Sequence, residues 1–431
     1  MSPLPPGPRE PPVLQTAHWL LRPISFLESC RRSFGDTFSV RFLGFRTPMV
    51  MVTHPDAIRA LYSVREHGLP PGRTVALLPI VGPRSLLLLE GRAHLARRRM
   101  MLPPFHGERM RAYESIVRDA VERDVERWPV GQSFALHPRM QAITLDVILR
   151  AVFGVTDQGR RARLAERLGH LLASTSSVGL QFGVLLSRRL GGPDPLARLQ
   201  TVRHEIDALL AAEIAERRAD PRDDILSMLI AARFEDGGAM DDEELRDQLM
   251  TLLLAGHETT ATGLAWTFDL LLRHPRVLAR LVAEVAAGEE AYLRAVVAES
   301  LRLRPVVPLA GRRLSSELRV NGHVLPPGTD VTPAIWLAHT RADRYPEPFA
   351  FRPERFLEDA PATYAWIPFG GGVRRCLGAA FAEMEMRVAL AEILRRRALR
   401  PASSAAERVA RRNVTFSPRT GTRVVAEVLV A

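Results

Sequence analysis

The sequence predicts a mainly α fold with small β-sheets, an α+β arrangement in which helices carry most of the chain. Three observations predict it. From about Glu108 to Ile230 apolar residues recur every three or four positions, as in ERMRAYESIVRDAVERDVERW and LARLQTVRHEIDALLAAEIAERR. The run MDDEELRDQLMTLLLAGHETTATGLAWTFDLLLRHP reads as one very long helix, with an acidic first turn and Pro275 after its end. At about 1.5 Å per residue it would cross a whole domain. Strand-like alternation is confined to short stretches, and no strand–helix–strand alternation runs along the chain.

The elements follow in order. The first thirty residues begin MSPLPPGPREPP, a Pro-rich lead-in without the apolar stretch of a leader peptide. Residues 36–53, DTFSVRFLGFRTPMVMVT, alternate and are rich in β-branched and aromatic side chains, which predicts a strand pair turning near Gly44. Residues 65–90 hold several Pro and Gly and read as a long irregular loop of the functional kind. Residues 174–195 interrupt the helical pattern. A helix over about 290–304 stops at Pro305, short strands follow at about 318–332, and the last long helix is expected to start at Cys376 and run to about Arg397. With no internal repeat and no Gly/Ser linker, residues 1–431 are expected to form a single domain.

Composition excludes several functions. With 431 residues and 46% hydrophobic content there is ample length for a large core. All 59 basic residues are arginine, a uniform bias that makes the net charge of +11 weak support for nucleic-acid binding. A basic docking face for an acidic protein remains open. Two cysteines and no CxxC pair argue against a disulfide framework or a zinc module and favour a reducing cytoplasm. No stretch approaches 18 uninterrupted apolar residues, so no membrane span is expected.

FGGGVRRCLG, residues 369–378, concentrates the chemistry. A dinucleotide fingerprint needs a third glycine where Arg375 stands, and the chain has no lysine for a phosphate-binding P-loop. Cys376 is expected at a helix start, where free N–H groups and the dipole lower a thiol pKa and favour the metal-binding thiolate. A buried inert cysteine is the competing reading.

The spacing F-x-x-G-x-R-x-C-x-G, carried by Phe369, Gly372, Arg374, Cys376 and Gly378, resembles the haem-binding loop of the cytochrome P-450 family. The resemblance implies haem b between the long central helix and the helix of the Cys loop, with Cys376 as axial iron ligand. It implies that Phe369 shields the sulfur, that Arg374 pairs with a haem propionate, and that Gly370 and Gly378 help bring backbone to the cofactor. AGHETT, Ala255 to Thr260, resembles the family's oxygen-binding groove. Gly256 costs a helix about 1 kcal/mol relative to Ala, and the Thr259 hydroxyl can bond back to the Ala255 carbonyl and open the helix. Glu258 and Thr259 then resemble the acid–alcohol pair that delivers protons during oxygen activation. Glu299 and Arg302 of ESLR, with Arg355 of FRPERF, resemble a buried Glu–Arg–Arg cluster that locks the core behind the loop. His94 and Arg98 resemble the H-x-x-x-R propionate ligands of soluble bacterial members, and Arg312 stands where a further propionate-binding Arg is common.

These likenesses run in family order over about residues 34–425 and imply a cytoplasmic, monomeric bacterial enzyme without a membrane anchor. The implied reaction inserts one atom of O₂ into a C–H or C=C bond of an apolar small molecule such as a terpenoid, steroid or fatty acid. Electrons would come from NAD(P)H through a reductase and a separate acidic ferredoxin or flavodoxin. That donor would dock near Cys376, with Arg97, Arg99, Arg109, Arg111 and Arg375 as candidate contacts. The expected pocket lining is the 65–90 loop, Leu252, Ala255, Val306, Val307, Leu309, Thr415 and Phe416, with Arg73 or Arg84 as the sole charged anchors. An H₂O₂-driven peroxygenase of the same fold is a rival that needs no Glu258–Thr259 relay. A haem-binding sensor or carrier without turnover is another.

Overall fold

The computed structural model describes residues 4–428 apart from 46, 65–66, 71–76, 155–156, 176–196, 359–361 and 413. Its helices are α1 (Pro12–Leu21), α2 (Pro23–Phe34), α3 (Pro55–Ser63), α4 (Gly91–Met101), α5 (Arg109–Val125), α6 (Leu136–Phe153), α7 (Gln158–Thr175), α8 (Ala197–Ala219), α9 (Ile225–Ala231), α10 (Asp242–Arg273), α11 (Pro275–Ala287), α12 (Ala291–Leu303), α13 (Ile335–His339), α14 (Arg355–Glu358) and α15 (Ala379–Arg396). The expected mainly α architecture with small sheets is what folds. The chain divides into two compact units, Met1–Pro71 with Val121–Met140 and Thr259–Ala431, and Gly72–Ala120 with Gln141–Glu258. Three of their four boundaries fall inside α5, α6 and α10, where the sequence carries no linker signal.

The first unit holds the sheets. Strands β1 (Thr37–Val40) and β2 (Met49–Val52) pair antiparallel, Thr37 opposite Val52, with Gly44 at φ +87° in the turn between them. A five-stranded sheet continues through β8 (Asp330–Pro333), parallel to β2, then antiparallel through β5 (Arg312–Leu314) to β3 (His67–Gly68). Both faces of β2 are buried. Val50 and Val52 join a cluster with Ile58, Leu61 and Ile335, while Met51 joins Trp19, Phe38 and Phe416. A strand covered on both sides reads as an unbroken apolar run, which explains MVMV. The 65–90 stretch is therefore not wholly irregular: it contains β3 and a helical turn at 77–81. Smaller sheets are formed by β6 (Leu318–Val320) with β7 (His323–Leu325), by β10 (Val409–Arg412) with β11 (Thr415–Pro418), and by β4 (Ser133–Ala135), β12 (Arg423–Val428) and β9 (Arg397–Pro401).

The second unit is helical and is organised around a buried cation. Arg217 Nε donates to Asp224 at 2.7 Å and Nη2 to the Phe153 carbonyl at 2.7 Å. Asp224 also caps α9 by accepting from the Ser227 N–H at 2.7 Å, so one carboxylate satisfies a charge and a helix start.

Candidate active site

The stretch FGGGVRRCLG forms a closed loop. The Cys376 N–H donates to the Phe369 carbonyl at 2.9 Å, and Gly370 N–H donates to the Ile367 carbonyl at 3.0 Å. Gly370 and Gly372 sit at φ +66° and +64°, a left-handed conformation that glycine adopts without strain. The middle glycine serves contact instead: a Cβ on Gly371 would come within 2.4 Å of the Tyr62 ring, and one on Gly372 within 2.5 Å of the Tyr62 carbonyl. The glycines therefore seat the loop against the end of α3. The expected helix start at Cys376 is corrected. Residues Gly372–Arg374 form a single 3₁₀ turn and α15 begins at Ala379, capped by Gly378. The Cys376 N–H is used to close the loop, so the residue precedes the helix by most of a turn. Gly378 has no positive φ and open space at its Cβ position.

The two cysteines separate cleanly. Cys376 is exposed, whereas Cys30 is buried among Trp19, Phe38 and Met51 and its thiol is pushed up to about 12, mainly by burial. Only Cys376 is accessible to a ligand. Arg312, buried at 3% exposure, braces the loop from β5. Its Nη2 donates to the Gly371 carbonyl at 3.2 Å, its Nη1 to the Ala310 and Gly311 carbonyls at 3.2 and 2.9 Å, and the guanidinium lies 5.1 Å from the Tyr62 ring centre. Burial lowers its pKa, and among the described residues no carboxylate pairs with it. A buried cation with only neutral partners is costly and calls for an anion. Phe369 is half-buried and packs edge-on to Trp366, 6.1 Å between ring centres; Arg374 is half-buried and Arg375 exposed.

Behind the loop the structure brings Glu299, Arg302 and Arg355 together. Glu299 accepts from Arg302 Nε and Nη2 at 2.6 and 2.8 Å, from Arg355 Nε at 3.1 Å and from the Arg352 N–H at 3.0 Å. Arg302 Nη1 donates to the His339 and Pro348 carbonyls at 2.8 and 2.7 Å. Every strong donor and acceptor has a partner, the condition under which a buried ion pair holds. Sequence reasoning missed His339, Tyr62 and Gln141; none stands in a patterned motif, and each is recognised only by what it touches.

In the middle of α10 Ala255 is exposed, Gly256, Glu258 and Thr259 are half-buried, and Leu253, His257 and Thr260 are buried. Gly256 has a packing reason of its own, since a Cβ there would meet Ile148 Cδ1 of α6 at 2.7 Å. Gln141 Nε2 donates to Glu258 Oε2 at 2.5 Å. Next to it His257 Nδ1 lies 3.1 Å from the Thr144 hydroxyl, and burial lowers its pKa to about 4. His94 and Arg98 lie one turn apart on α4, the first buried and the second half-buried.

Other expected contacts are placed differently. The Phe416 ring packs 5.8 Å from Trp19 in the apolar cluster, and its carbonyl accepts from Trp266 Nε1 at 2.8 Å. Thr415 is buried and donates to the Arg412 carbonyl at 2.9 Å, and Leu309 packs against the Trp19 cluster. Val306 and Leu252 are buried and Val307 half-buried. Within the second unit a small apolar cavity is lined instead by Ile80, Leu145, Leu168, Met250, Leu253 and His257. Arg84 pairs with Asp241 and Glu243 at the start of α10, so it is no spare anchor, and Arg73 lies outside the described residues. Three expected docking arginines are also engaged: Arg97 with the buried Glu244 at 2.6 Å, Arg99 with Glu235 and Arg109 with Asp223. Arg111 and Arg375 are exposed.

The loop thus presents an accessible cysteine, braced by the buried Arg312 and set beside the Glu299–Arg302–Arg355 cluster. The family model described as "Cytochrome P450" matches residues 5–419. A relative from Mycobacterium tuberculosis, provisionally named cytochrome P450 135B1, is 42% identical over 98% of this chain and 91% of its own length. Another from Mycobacterium bovis, provisionally named cytochrome P450 138, is 37% identical over 98% of this chain and 96% of its own. Among solved structures, the retinoic acid-bound cyanobacterial CYP120A1 superposes with a TM-score of 0.85 at 26% identity, covering 99% of this chain and all of that one. The chain belongs to the cytochrome P450 family. It is thus in general terms a haem-iron monooxygenase. No helix among the described residues is long and apolar enough to cross a membrane.

Proposed function

We propose that this protein is a monooxygenase that hydroxylates or epoxidises a small-to-medium apolar molecule of terpenoid, steroid or fatty-acid type. The observation that carries the reading is the accessible Cys376 in a loop braced by Arg312, a buried cation that lacks a carboxylate partner among the described residues. That donor set fits a haem: Cys376 as the thiolate ligand and Arg312 as a propionate partner, with Arg374 as a further candidate. Held there, a haem would supply the oxygen activation and accept the electrons. The retinoic acid-bound neighbour favours the isoprenoid end of the substrate range.

The protein's own residues manage protons and water. Inserting one oxygen atom and reducing the other to water consumes two electrons and two protons. Glu258 is the proton donor from the outer side and Thr259 Oγ1 the hydroxyl that passes protons inward. Gln141 holds the Glu258 carboxylate through its side-chain amide, which orients one of its oxygens. The electrons come from NAD(P)H through a reductase and an acidic ferredoxin or flavodoxin. Arg375 and Arg111 are the exposed arginines of the expected docking set.

The test is a screen of apolar ligands against the haem-loaded protein. A thiolate-type absorbance in the reduced, CO-bound state, a ligand-induced shift of the haem absorbance and substrate-dependent electron consumption are expected together. A CO complex without thiolate character would overturn the reading. Tight haem binding with no substrate-dependent electron use would make the protein a carrier or sensor.

A further inference from the structure

His339 ends the short helix α13 and is fully buried, between the ion cluster and the Cys loop. Its backbone carbonyl accepts from Arg302 Nη1 at 2.8 Å. Its ring Nε2 accepts from the Ile367 N–H at 2.8 Å, and its Nδ1 lies 3.2 Å from the Arg302 carbonyl. An N–H can donate only to a bare nitrogen and a carbonyl can only accept. The two partners therefore demand a neutral ring with its proton on Nδ1. Ile367 then leads directly into the loop. Its carbonyl accepts from the Gly370 N–H at 3.0 Å, and the Phe369 carbonyl two residues on accepts from the Cys376 N–H at 2.9 Å.

We propose that His339 is a positioning residue for the thiolate loop: its neutral ring joins the Glu299–Arg302–Arg355 cluster to Ile367 and thereby fixes the backbone that presents Cys376. Among the described residues the cluster by itself shares no hydrogen bond with the loop; Glu299 and Arg302 spend their groups on each other and on the carbonyls and N–H of 339–355. The imidazole spans the gap with one acceptor and one donor, and a side chain that lacks the acceptor breaks the path to Ile367. The Ile367 N–H, a buried donor, would then be left unsatisfied. The inference rests on Cys376 being the iron ligand, which is the function proposed above.

The side-chain amide of Gln can reproduce the Nε2 acceptor, whereas that of Asn is too short to reach Ile367. In the haem-loaded, reduced, CO-bound protein, His339→Asn is expected to lower the ratio of thiolate-type to neutral-thiol-type absorbance at least threefold and to shift the midpoint potential. His339→Gln is expected to restore both. A His339→Asn protein with wild-type spectrum and potential overturns the proposal. Should that variant not accumulate, amide exchange on the wild-type holoenzyme decides. The Ile367 amide and the Glu299-bound Arg352 amide must open together, with protection within about threefold of each other. Ile367 exchanging freely beside a protected Arg352 overturns the coupling. A wild-type protein without thiolate absorbance would sink the functional reading alone, since the exchange comparison does not depend on it.

Discussion

Arg312 Nη2 donates to the Gly371 carbonyl at 3.2 Å, which ties strand β5 to the loop that carries Cys376. The same guanidinium is buried with carbonyls as its partners, so the anion it lacks among the described residues is the expected haem propionate. Arg312→Met removes the charge with little change in volume. A hydrogen bond to a charged group contributes about 1.5–3 kcal/mol, so haem should dissociate at least about tenfold faster, measured by its transfer to excess apomyoglobin. Lys is not expected to rescue, because a point charge cannot serve three carbonyls as a planar fork does. An unchanged transfer rate would remove Arg312 from the cofactor site.

The 2.5 Å contact between Gln141 Nε2 and Glu258 Oε2 fixes one end of the proposed proton path. Thr259→Ala should uncouple NAD(P)H consumption from product while leaving ligand-induced spectral shifts intact. Gln141→Leu keeps Glu258 and Thr259 but removes the amide. It should lower coupling by a smaller amount and alter the solvent isotope effect on turnover. If Gln141→Leu matches wild type in both, the contact only packs α6 against α10.

Much of this was legible in the sequence, and what was not has a physical cause. The 32-residue α10, with Asp242, Glu243 and Glu244 in its first turn, was visible because periodicity and end signals coincide. Glu299, Arg302 and Arg355 could be matched to a motif, and the structure joins them. The start of α15 was misplaced because the apolar pattern runs back through Leu377 to Cys376, while the backbone there closes on Phe369. Phe416 was assigned to a pocket by position, yet a strand's two faces are set by its pairing, and its ring turns towards Trp19. Arg97, Arg99 and Arg109 looked like a free basic patch because the acids that neutralise them are more than a hundred residues away in the chain. His339 has no local signal; only the packed core shows that both of its ring nitrogens are used.

Glu385 of α15 is fully buried, and neither carboxylate oxygen has a partner at hydrogen-bonding geometry. Burial raises its pKa well above the usual range, and the Thr260 hydroxyl acts in the opposite direction. A carboxyl group with a raised folded-state pKa favours the fold at low pH, and that contribution is lost as pH rises from the ordinary Glu range towards the folded value. Glu385→Gln keeps the shape and cannot ionise. Its Tm should match wild type near pH 4 and exceed it increasingly up to pH 8. A difference that is flat with pH would show that Glu385 is not neutral in the fold.

Two buried histidines act in the opposite direction. His339 titrates at about 3, because burial and then the Arg302 charge disfavour its protonated form, with Glu299 held by Arg302 on the far side. Burial alone takes His257 to about 4. Both values lie below the unfolded-chain pKa of about 6.5. The unfolded state therefore binds the proton first, and stability present above that pKa is lost as pH falls. Each histidine costs about 1.4 kcal/mol per pH unit between there and its own folded value. By pH 5 that is about 2 kcal/mol apiece, a large share of a typical folding free energy of about 5–15 kcal/mol. Thermal stability should therefore fall from below about pH 6.5, well before ordinary carboxylates titrate. His339→Gln should flatten part of that slope, because glutamine keeps the Ile367 acceptor and takes up no proton. A wild-type Tm that is constant from pH 6.5 to pH 5 would contradict the neutral, doubly bonded ring on which the bridge to the Cys376 loop depends.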